Sequence, residues 1–176
     1  MSVAAIIALG TLAAVLAVMA GEAVLSSFNA SVLRARGAVE PPDDVYRAMQ
    51  WAYPLGFVAL AIEGAVRGPS PEPALAAGIL VFGLAKALKA WAITSLGTRW
   101  TFRVLVPPGA PLVAAGPYRW LRHPNYLAVA GEIAGAALLV GAFVSGAIFL
   151  AGFGWLMRRR IAIEERALGL GEDKGR

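Results

Sequence analysis

Long apolar stretches separated by shorter polar ones dominate the pattern of this chain. A helix that spans a bilayer needs roughly 20 apolar residues. Three stretches of about that length each predict one spanning helix, at about residues 3–28, 45–66 and 74–96. The last stretch, from Tyr126 to Met157, is too long for one span and is interrupted at Gly141 and at Ser145-Gly146. It therefore predicts a hairpin of two helices, at about residues 126–141 and 144–168.

The polar segments between these stretches are rich in residues that end helices. Two prolines followed by two aspartates (residues 41–44) suit the start of the second helix. We expect one all-α polytopic membrane domain with five helices over residues 1–168. It divides into a three-helix part (1–96) and a part that holds a loop, the hairpin and a C-terminal motif (97–168). The polar tail, residues 169–176, is expected to be loose.

Composition supports a membrane protein and narrows its chemistry. Hydrophobic residues make up 59% of the chain and charged residues only 15%, whereas soluble domains carry about 25% charged residues. The net charge of +5 does not indicate nucleic-acid binding, because the basic residues cluster between apolar stretches. The chain has no cysteine and one histidine, which argues against disulfides, thiol nucleophiles and a metal site.

Loop charges predict how the chain is oriented. With the N-terminus outside and the C-terminus inside, the outer side carries Arg67 alone, and the inner side carries Arg34, Arg36, Arg99, Arg103, Arg119, Arg122, Arg158, Arg159 and Arg160. This arrangement follows the positive-inside rule, and the reverse arrangement violates it. The inner loops would then face the cytoplasm.

Ionisable residues inside the predicted spans need an explanation, since each costs about 2.5–3.5 kcal/mol at the bilayer centre unless it is paired or hydrated. They are Glu22, Glu63, Lys86, Lys89 and Glu132. Glu63 lies near the outer end of its helix and is interpreted as structural. The other four fall in the cytoplasmic half. They form either the wall of a polar pocket or structural ion pairs, or the two lysines extend to the membrane interface. Trp51 and Tyr53 are interpreted as interfacial or packing aromatics.

A dense polar and aromatic cluster, Gly116-Pro-Tyr-Arg-Trp-Leu-Arg-His-Pro-Asn-Tyr126, precedes the hairpin and holds the only histidine. The amides of a helix's first turn attract anions. Arg119 and Arg122 are three residues apart and suit a carboxylate or phosphate. The cluster is therefore either a site for a polar, charged cofactor or an interfacial anchor.

A second polar cluster follows the hairpin, from Arg158 to Arg166. A positive end is expected after the last span, but it does not explain the paired Glu164 and Glu165. Arg160 and Glu164 are four residues apart and share one helical face.

The two clusters, with a helical hairpin between them, resemble the isoprenylcysteine carboxyl methyltransferase family over about residues 95–168. Members of that family are integral membrane enzymes that use S-adenosylmethionine and release S-adenosylhomocysteine. The resemblance implies a cofactor site whose residues would be Gly116, Pro117, Tyr118, Arg122, His123, Tyr126, Glu164 and Glu165. It also implies that Arg160 and Glu164 close the far side of this site.

The first half is similar to a bacterial branch of the family that O-methylates phenolic or pyrone lipids. Glu22, Asn29 and Trp91 belong to this part of the resemblance. We therefore expect a lipophilic acceptor from the bilayer, bound near Glu22, Asn29, Lys86, Lys89 and Trp91. The resemblance further implies a bacterial cytoplasmic membrane, with the active site on the cytoplasmic side.

Methyl transfer to a phenol benefits from a base, for which Glu164 and Glu132 are candidates, whereas Arg160 would favour the ionised acceptor. Three alternatives remain open at this stage. They are a true isoprenylcysteine carboxyl methyltransferase, an NADPH-dependent enzyme similar to sterol reductases, and a non-enzymatic membrane transporter or scaffold. The sequence does not identify the acceptor or the oligomeric state.

Overall fold

The computed structural model describes residues 1–109 and 111–169. This part of the chain forms five α-helices, which are α1 (Val3–Ala35), α2 (Tyr46–Arg67), α3 (Glu72–Leu96), α4 (Pro124–Val140) and α5 (Phe143–Ala167). Short 3-10 turns at Gly97–Arg99 and Gly116–Arg119 lie in the long connection between α3 and α4. Within the described ranges there is no strand, only an isolated bridge between Val39 and Val106. The prediction of an all-α chain with five helices and a C-terminal hairpin is confirmed.

Helix α1 is longer than the sequence predicts. A polar loop is expected from Asn29 onward, but α1 continues to Ala35. Its last turns are stabilised by tertiary contacts, since Ala30 and Leu33 are buried against Leu105 of the α3–α4 connection. A 33-residue helix is about 50 Å long, so α1 exceeds the roughly 30 Å hydrocarbon layer.

The turn of the hairpin lies where the sequence predicts it. Helix α4 ends at Val140, and Gly141 adopts a left-handed conformation with φ of 74°. The amide of Ala142 then donates to the Ala137 carbonyl, which closes the helix end. Proline at the first position of α4 suits a helix start, because its missing amide hydrogen has no partner there in any case.

Helices α3 and α4 pack closely through glycines. A Cβ atom added at Gly135 would lie 2.5 Å from the Phe82 amide nitrogen, and one added at Gly78 would lie 2.5 Å from that of Leu139. The two backbones therefore touch directly, as small residues allow between membrane helices. This contact fixes α4, which carries half of the candidate site, against α3.

The outer surface is apolar and the interior contains charges. Leu80 and Leu84 on α3 are each 62% exposed, whereas Glu132 on α4 is fully buried. Two helical segments, Val3–Ala35 and Glu72–Arg99, are long and apolar enough to cross a membrane, and α4 is apolar but shorter. The long apolar helices and the apolar outer surface indicate a membrane protein. Five spans and an outside N-terminus remain predictions, and the predicted loose tail lies outside the described residues beyond Gly169.

Candidate active site

The hairpin brings the start of α4 beside the end of α5. His123 precedes α4 and Tyr126 lies in its first turn, while Arg160, Glu164 and Glu165 lie in the last turns of α5. Because the two helices run in opposite directions from the turn at Gly141, these ends meet. The two sequence clusters therefore form one group of polar side chains, as the resemblance implied.

Tyr126 is the centre of this group. Its hydroxyl donates to Glu164 Oε2 at 2.9 Å and accepts from Arg160 Nε at 2.9 Å. The Tyr126 hydroxyl thus separates the guanidinium of Arg160 from the carboxylate of Glu164. His123 completes the group, with its Nε2 atom 3.1 Å from Glu165 Oε1.

Exposure increases from one end of the group to the other. The Arg160 side chain is only 8% exposed, whereas the side chains of His123, Glu164 and Glu165 are 18%, 34% and 32% exposed. The arginine end is therefore closed, and the end with histidine and glutamates is open to solvent. A polar molecule would meet the two carboxylates and the imidazole first.

The turn at Gly116 lies next to this group. Gly116 has φ of 55°, a conformation that favours glycine, and its missing Cβ leaves room for the Ser95 side chain and, next to it, the Trp91 ring nitrogen. Pro117 is buried. Burial raises the pKa of the Tyr118 hydroxyl above its usual value, and the charge of nearby Glu164 raises it further. Tyr118 therefore lies near Glu164, and a role of Gly116, Pro117 and Tyr118 in cofactor binding stays a prediction.

Trp91 joins α3 to the same turn. Its ring lies 5.8 Å from that of Trp120, centroid to centroid, and both rings are exposed. Trp91 is thus beside the predicted cofactor loop, on the outer surface of the helices. Arg122, by contrast, is exposed on the surface of the loop.

A second group of charges lies between α1, α3 and α4 and is buried except for Lys86, whose side chain is 25% exposed. Lys89 Nζ lies 2.8 Å from Glu22 Oε2 and 3.2 Å from Glu132 Oε2. Lys86 Nζ lies 2.8 Å from Glu132 Oε1. Two cations and two anions thus compensate one another, which favours the structural ion pairs over the polar pocket. A role of Glu132 in catalysis, or of the others in acceptor binding, stays a prediction.

Tyr53 belongs to this buried group, although the sequence indicated only packing or an interfacial position. Its hydroxyl donates to Glu132, and its ring packs on Phe57 and Phe153. Tyr53 therefore combines a hydrogen bond to a buried carboxylate with aromatic packing. The signal that could have found it is the phenol itself, because a buried tyrosine hydroxyl needs a hydrogen-bond partner.

Asn29 holds the connection after α3 rather than facing the charged groups. Its side-chain amide donates to the carbonyls of Trp100 at 2.8 Å and Gly97 at 3.3 Å. One turn earlier, Ser26 accepts from the Phe102 amide at 2.8 Å. The predicted role of Asn29 in acceptor binding stays untested, while its observed contacts are with the backbone.

Asp44 is a site residue that the sequence analysis missed. It was interpreted only as a helix-starting residue, and it does accept from the Tyr46 amide at 3.2 Å. In addition, its Oδ1 atom lies 3.6 Å from Arg160 Nη1. A surface cavity of about 440 Å³ lies beside Asp44, lined also by Glu40, Tyr46, Arg47 and Arg103. No local pattern distinguishes Asp44 from the neighbouring Asp43.

Among residues 1–109 and 111–169, no group of three or more histidine, aspartate or glutamate side chains is arranged to hold a metal ion.

Comparison with known proteins connects this geometry to a family. The sequence model of the isoprenylcysteine carboxyl methyltransferase family matches residues 76–169. This segment includes His123, Tyr126, Arg160, Glu164 and Glu165, whereas Asp44 lies outside it. The uncharacterized protein YpbQ of Bacillus subtilis (strain 168) is 32% identical over 149 residues, which cover 85% of this chain and 89% of that protein. No solved structure gives a significant match.

Proposed function

The chain belongs to the isoprenylcysteine carboxyl methyltransferase family, and we propose that it is an S-adenosylmethionine-dependent membrane methyltransferase that acts on an oxygen of a lipophilic acceptor. Family membership indicates the coarser activity, that of a membrane methyltransferase. The observation that carries the proposal is the hydrogen-bonded group of Tyr126, Arg160 and Glu164, with His123 and Glu165 at its open end.

The side chains of this group fit the chemistry of the cofactor. S-adenosylmethionine carries an ammonium group, a carboxylate, ribose hydroxyls and a sulfonium. Glu164 and Glu165 are about one-third exposed and can accept hydrogen bonds from ammonium and hydroxyl groups. His123 makes no side-chain cap on α4, so amides of the first turn remain for a carboxylate. The site therefore offers both acceptors and donors to a zwitterionic ligand.

The bound cofactor would supply a methyl group on a good leaving group, so the protein's task is mainly to align the reactants. Arg160 places a fixed positive charge at the closed end of the group, where it favours an ionised acceptor oxygen. Glu164 is the candidate base for an un-ionised phenol, whose pKa is near 10 by analogy with tyrosine. Tyr126 keeps Arg160 and Glu164 at fixed positions.

Glu132 is not assigned the role of base in this proposal. Its side chain is fully buried, and its oxygens are taken by Lys86, Lys89 and Tyr53. An acceptor would have to break these ion pairs to transfer a proton to it. Glu164 is partly exposed and already borders the group that would hold the cofactor.

The acceptor is proposed to be a phenolic or pyrone lipid that approaches from the bilayer. The apolar outer surface of α3, with Leu80 and Leu84 exposed, is compatible with lateral approach of a greasy molecule. The polar group at the ends of α4 and α5 would take its reactive oxygen. We propose that this group faces the cytoplasm of a bacterial cell, where the soluble cofactor is found.

Calorimetric titration of the purified protein in detergent with S-adenosylhomocysteine tests the proposal. Saturable binding is expected for the wild type. His123→Ala should weaken it about tenfold or more, since a hydrogen bond to a charged group contributes about 1.5–3 kcal/mol. Arg159→Ala is the control, because Arg159 lies on α5 with its guanidinium over Trp155 and makes no contact described for the candidate site. Absence of binding to folded wild-type protein would overturn the proposal, and NADPH would then be titrated.

A further inference from the structure

The closed end of the candidate site contains an ion pair that joins the two halves of the chain. Asp44 Oδ1 lies 3.6 Å from Arg160 Nη1, and the side chains are only 4% and 8% exposed. Buried charges attract one another more strongly than exposed ones, because solvent screens them less. Asp44 is therefore an effective partner for Arg160 in spite of the moderate distance.

Asp44 is itself held firmly. One carboxylate oxygen accepts from the Tyr46 amide at 3.2 Å, and the other accepts from the Val104 amide at 3.0 Å. These bonds connect the carboxylate to the start of α2 and to the α3–α4 connection. The orientation of the carboxylate is thus set by backbone groups on both sides.

Arg160 is constrained from two directions as a result. Its Nε atom donates to the Tyr126 hydroxyl, and its Nη1 atom faces Asp44. Two anchors fix the plane of a guanidinium, which one anchor leaves free to rotate. The Tyr126 hydroxyl that accepts from Arg160 also donates to the carboxylate of Glu164.

We propose that Asp44 is a positioning residue for methyl transfer, which holds Arg160 away from Glu164 and aimed at the acceptor oxygen. The inference rests on the proposed function. It adds a residue from outside the segment that matches the family model, and it gives the loop before α2 a part in activity. Asp44 acts through Arg160 and does not touch the reactants.

Asp43 provides a matched control in the same loop. It also pairs with an arginine of α5, since its Oδ2 atom lies 2.6 Å from Arg166 Nη2. That pair is exposed, with side chains 52% and 65% accessible. Asp43→Asn and Asp44→Asn thus remove the same charge from neighbouring positions, and only Asp44→Asn removes a partner of Arg160.

The test compares these variants in the full-length protein loaded with S-adenosylhomocysteine. The Nε–H signal of Arg160 is followed by NMR after ¹⁵N-arginine labelling and is assigned by its loss in Arg160→Lys. Asp44→Asn should speed solvent exchange of this signal about tenfold or more, because losing one anchor frees the guanidinium. Asp43→Asn should leave the exchange rate unchanged. Equal exchange rates in the two variants would overturn the inference.

Turnover of a long-chain alkylphenol provides the second readout. Asp44→Asn should lower kcat about tenfold or more, since small misplacements of a reacting geometry are costly, while cofactor affinity changes by less than about threefold. In the Arg160→Lys background, Asp44→Asn should cause no further loss. An equal loss in both backgrounds would show that Asp44 does not act through Arg160 and would overturn the inference.

A further variant supports the test, and the measurements distinguish failure of the proposed function from failure of the role of Asp44. Asp44→Glu keeps the charge but displaces the carboxylate, so it should also lower kcat, and it replaces Asp44→Asn if that variant does not fold. Wild-type protein that does not bind S-adenosylhomocysteine overturns the proposed function, and this inference with it. Wild-type protein that binds the cofactor, with Asp44→Asn and Asp43→Asn alike in both readouts, overturns only the role of Asp44.

Discussion

Lys89 shows how a charge is accommodated between the helices. Its side chain is 5% exposed and lies between Glu22 on α1 and Glu132 on α4. A lysine alone at this depth would be costly, whereas one that neutralises two carboxylates removes the cost of leaving them unpaired. Lys86 compensates the remaining negative charge of Glu132, so the group is neutral as a whole.

Replacing Lys89 should therefore be much more damaging than replacing Lys86. Lys89→Met leaves Glu22 and Glu132 without their shared partner, and removing one member of a buried ion pair costs about 3–5 kcal/mol. The side chain of Lys86 is 25% exposed, so Lys86→Met should cost clearly less. Thermal unfolding in detergent measures both, and equal losses would contradict the structural importance assigned to Lys89.

The variant Glu164→Gln distinguishes a role of Glu164 as general base from a role in binding alone. The amide keeps a hydrogen-bond acceptor for Tyr126 but accepts no proton, so turnover of a phenolic lipid should fall about a hundredfold, within the usual range for a general base. Transfer to an acceptor that is already ionised should fall much less. Both rates are measured as methyl transfer from labelled S-adenosylmethionine, and full turnover with the phenol would remove Glu164 from this role.

Helix α3 packs against α4 through a few glycines. Substitution by alanine should therefore have opposite effects at a glycine in this contact and at one outside it. Gly135→Ala places a methyl group 2.5 Å from the Phe82 amide nitrogen, and such overpacking costs about 1–3 kcal/mol. Gly83 on α3 has open space at its Cβ position, so Gly83→Ala should stabilise by about 0.4–1 kcal/mol. Unfolding in detergent should show shifts of opposite sign, and a common sign would contradict the close contact.

Glu40 joins the end of α1 to the α3–α4 connection. Its carboxylate pairs with Arg34 at 2.9 Å and with Arg103 at 2.6 Å. Partial burial alone raises the pKa of Glu40, but the two guanidiniums outweigh this effect and hold the pKa below its usual value. The ionised form is thus favoured in the folded protein.

This lowered pKa predicts how stability depends on pH. The contribution of Glu40 is fully present above about pH 4.3, the usual value for glutamate, and is lost as the pH falls from there through the lower folded value. Wild type should therefore unfold at a higher temperature than Glu40→Gln at neutral pH, and the gap should close in acid. Glu72→Gln, at an exposed position, is the control, and a gap that persists in acid would contradict the prediction.

The orientation of the whole molecule in the membrane is a prediction that labelling can check. The chain contains no cysteine, so each introduced one is unique. Glu72→Cys, at the first residue of α3, should react with an impermeant maleimide from outside intact spheroplasts. Arg158→Cys, in the last helix, should react only after lysis, since the positive side of the chain is expected inside. The reverse pattern would place the candidate site outside.

Several features of the molecule followed from local patterns. Apolar stretches predicted the five helices, and Gly141 predicted the turn of the hairpin, because a left-handed residue favours glycine. The resemblance to the family, and not a local pattern, implied that the two polar clusters form one site, and the hairpin brings the ends of α4 and α5 together. The predictions of the helices and of the turn needed only the length of the apolar stretches and the conformational freedom of glycine.

Long-range contacts decided what the local patterns left open. Asp44 meets Arg160, Tyr53 meets Glu132, and Asn29 holds the connection after α3. Contacts of Asn29, Ala30 and Leu33 with the α3–α4 connection also keep α1 helical to Ala35, although the sequence predicts a polar loop there. Each pairing joins residues that are distant along the chain, so no periodicity records it. Sequence pattern therefore specified which segments become helices, while helix packing specified which charges become partners, because burial makes the energy of a charge depend on its neighbours.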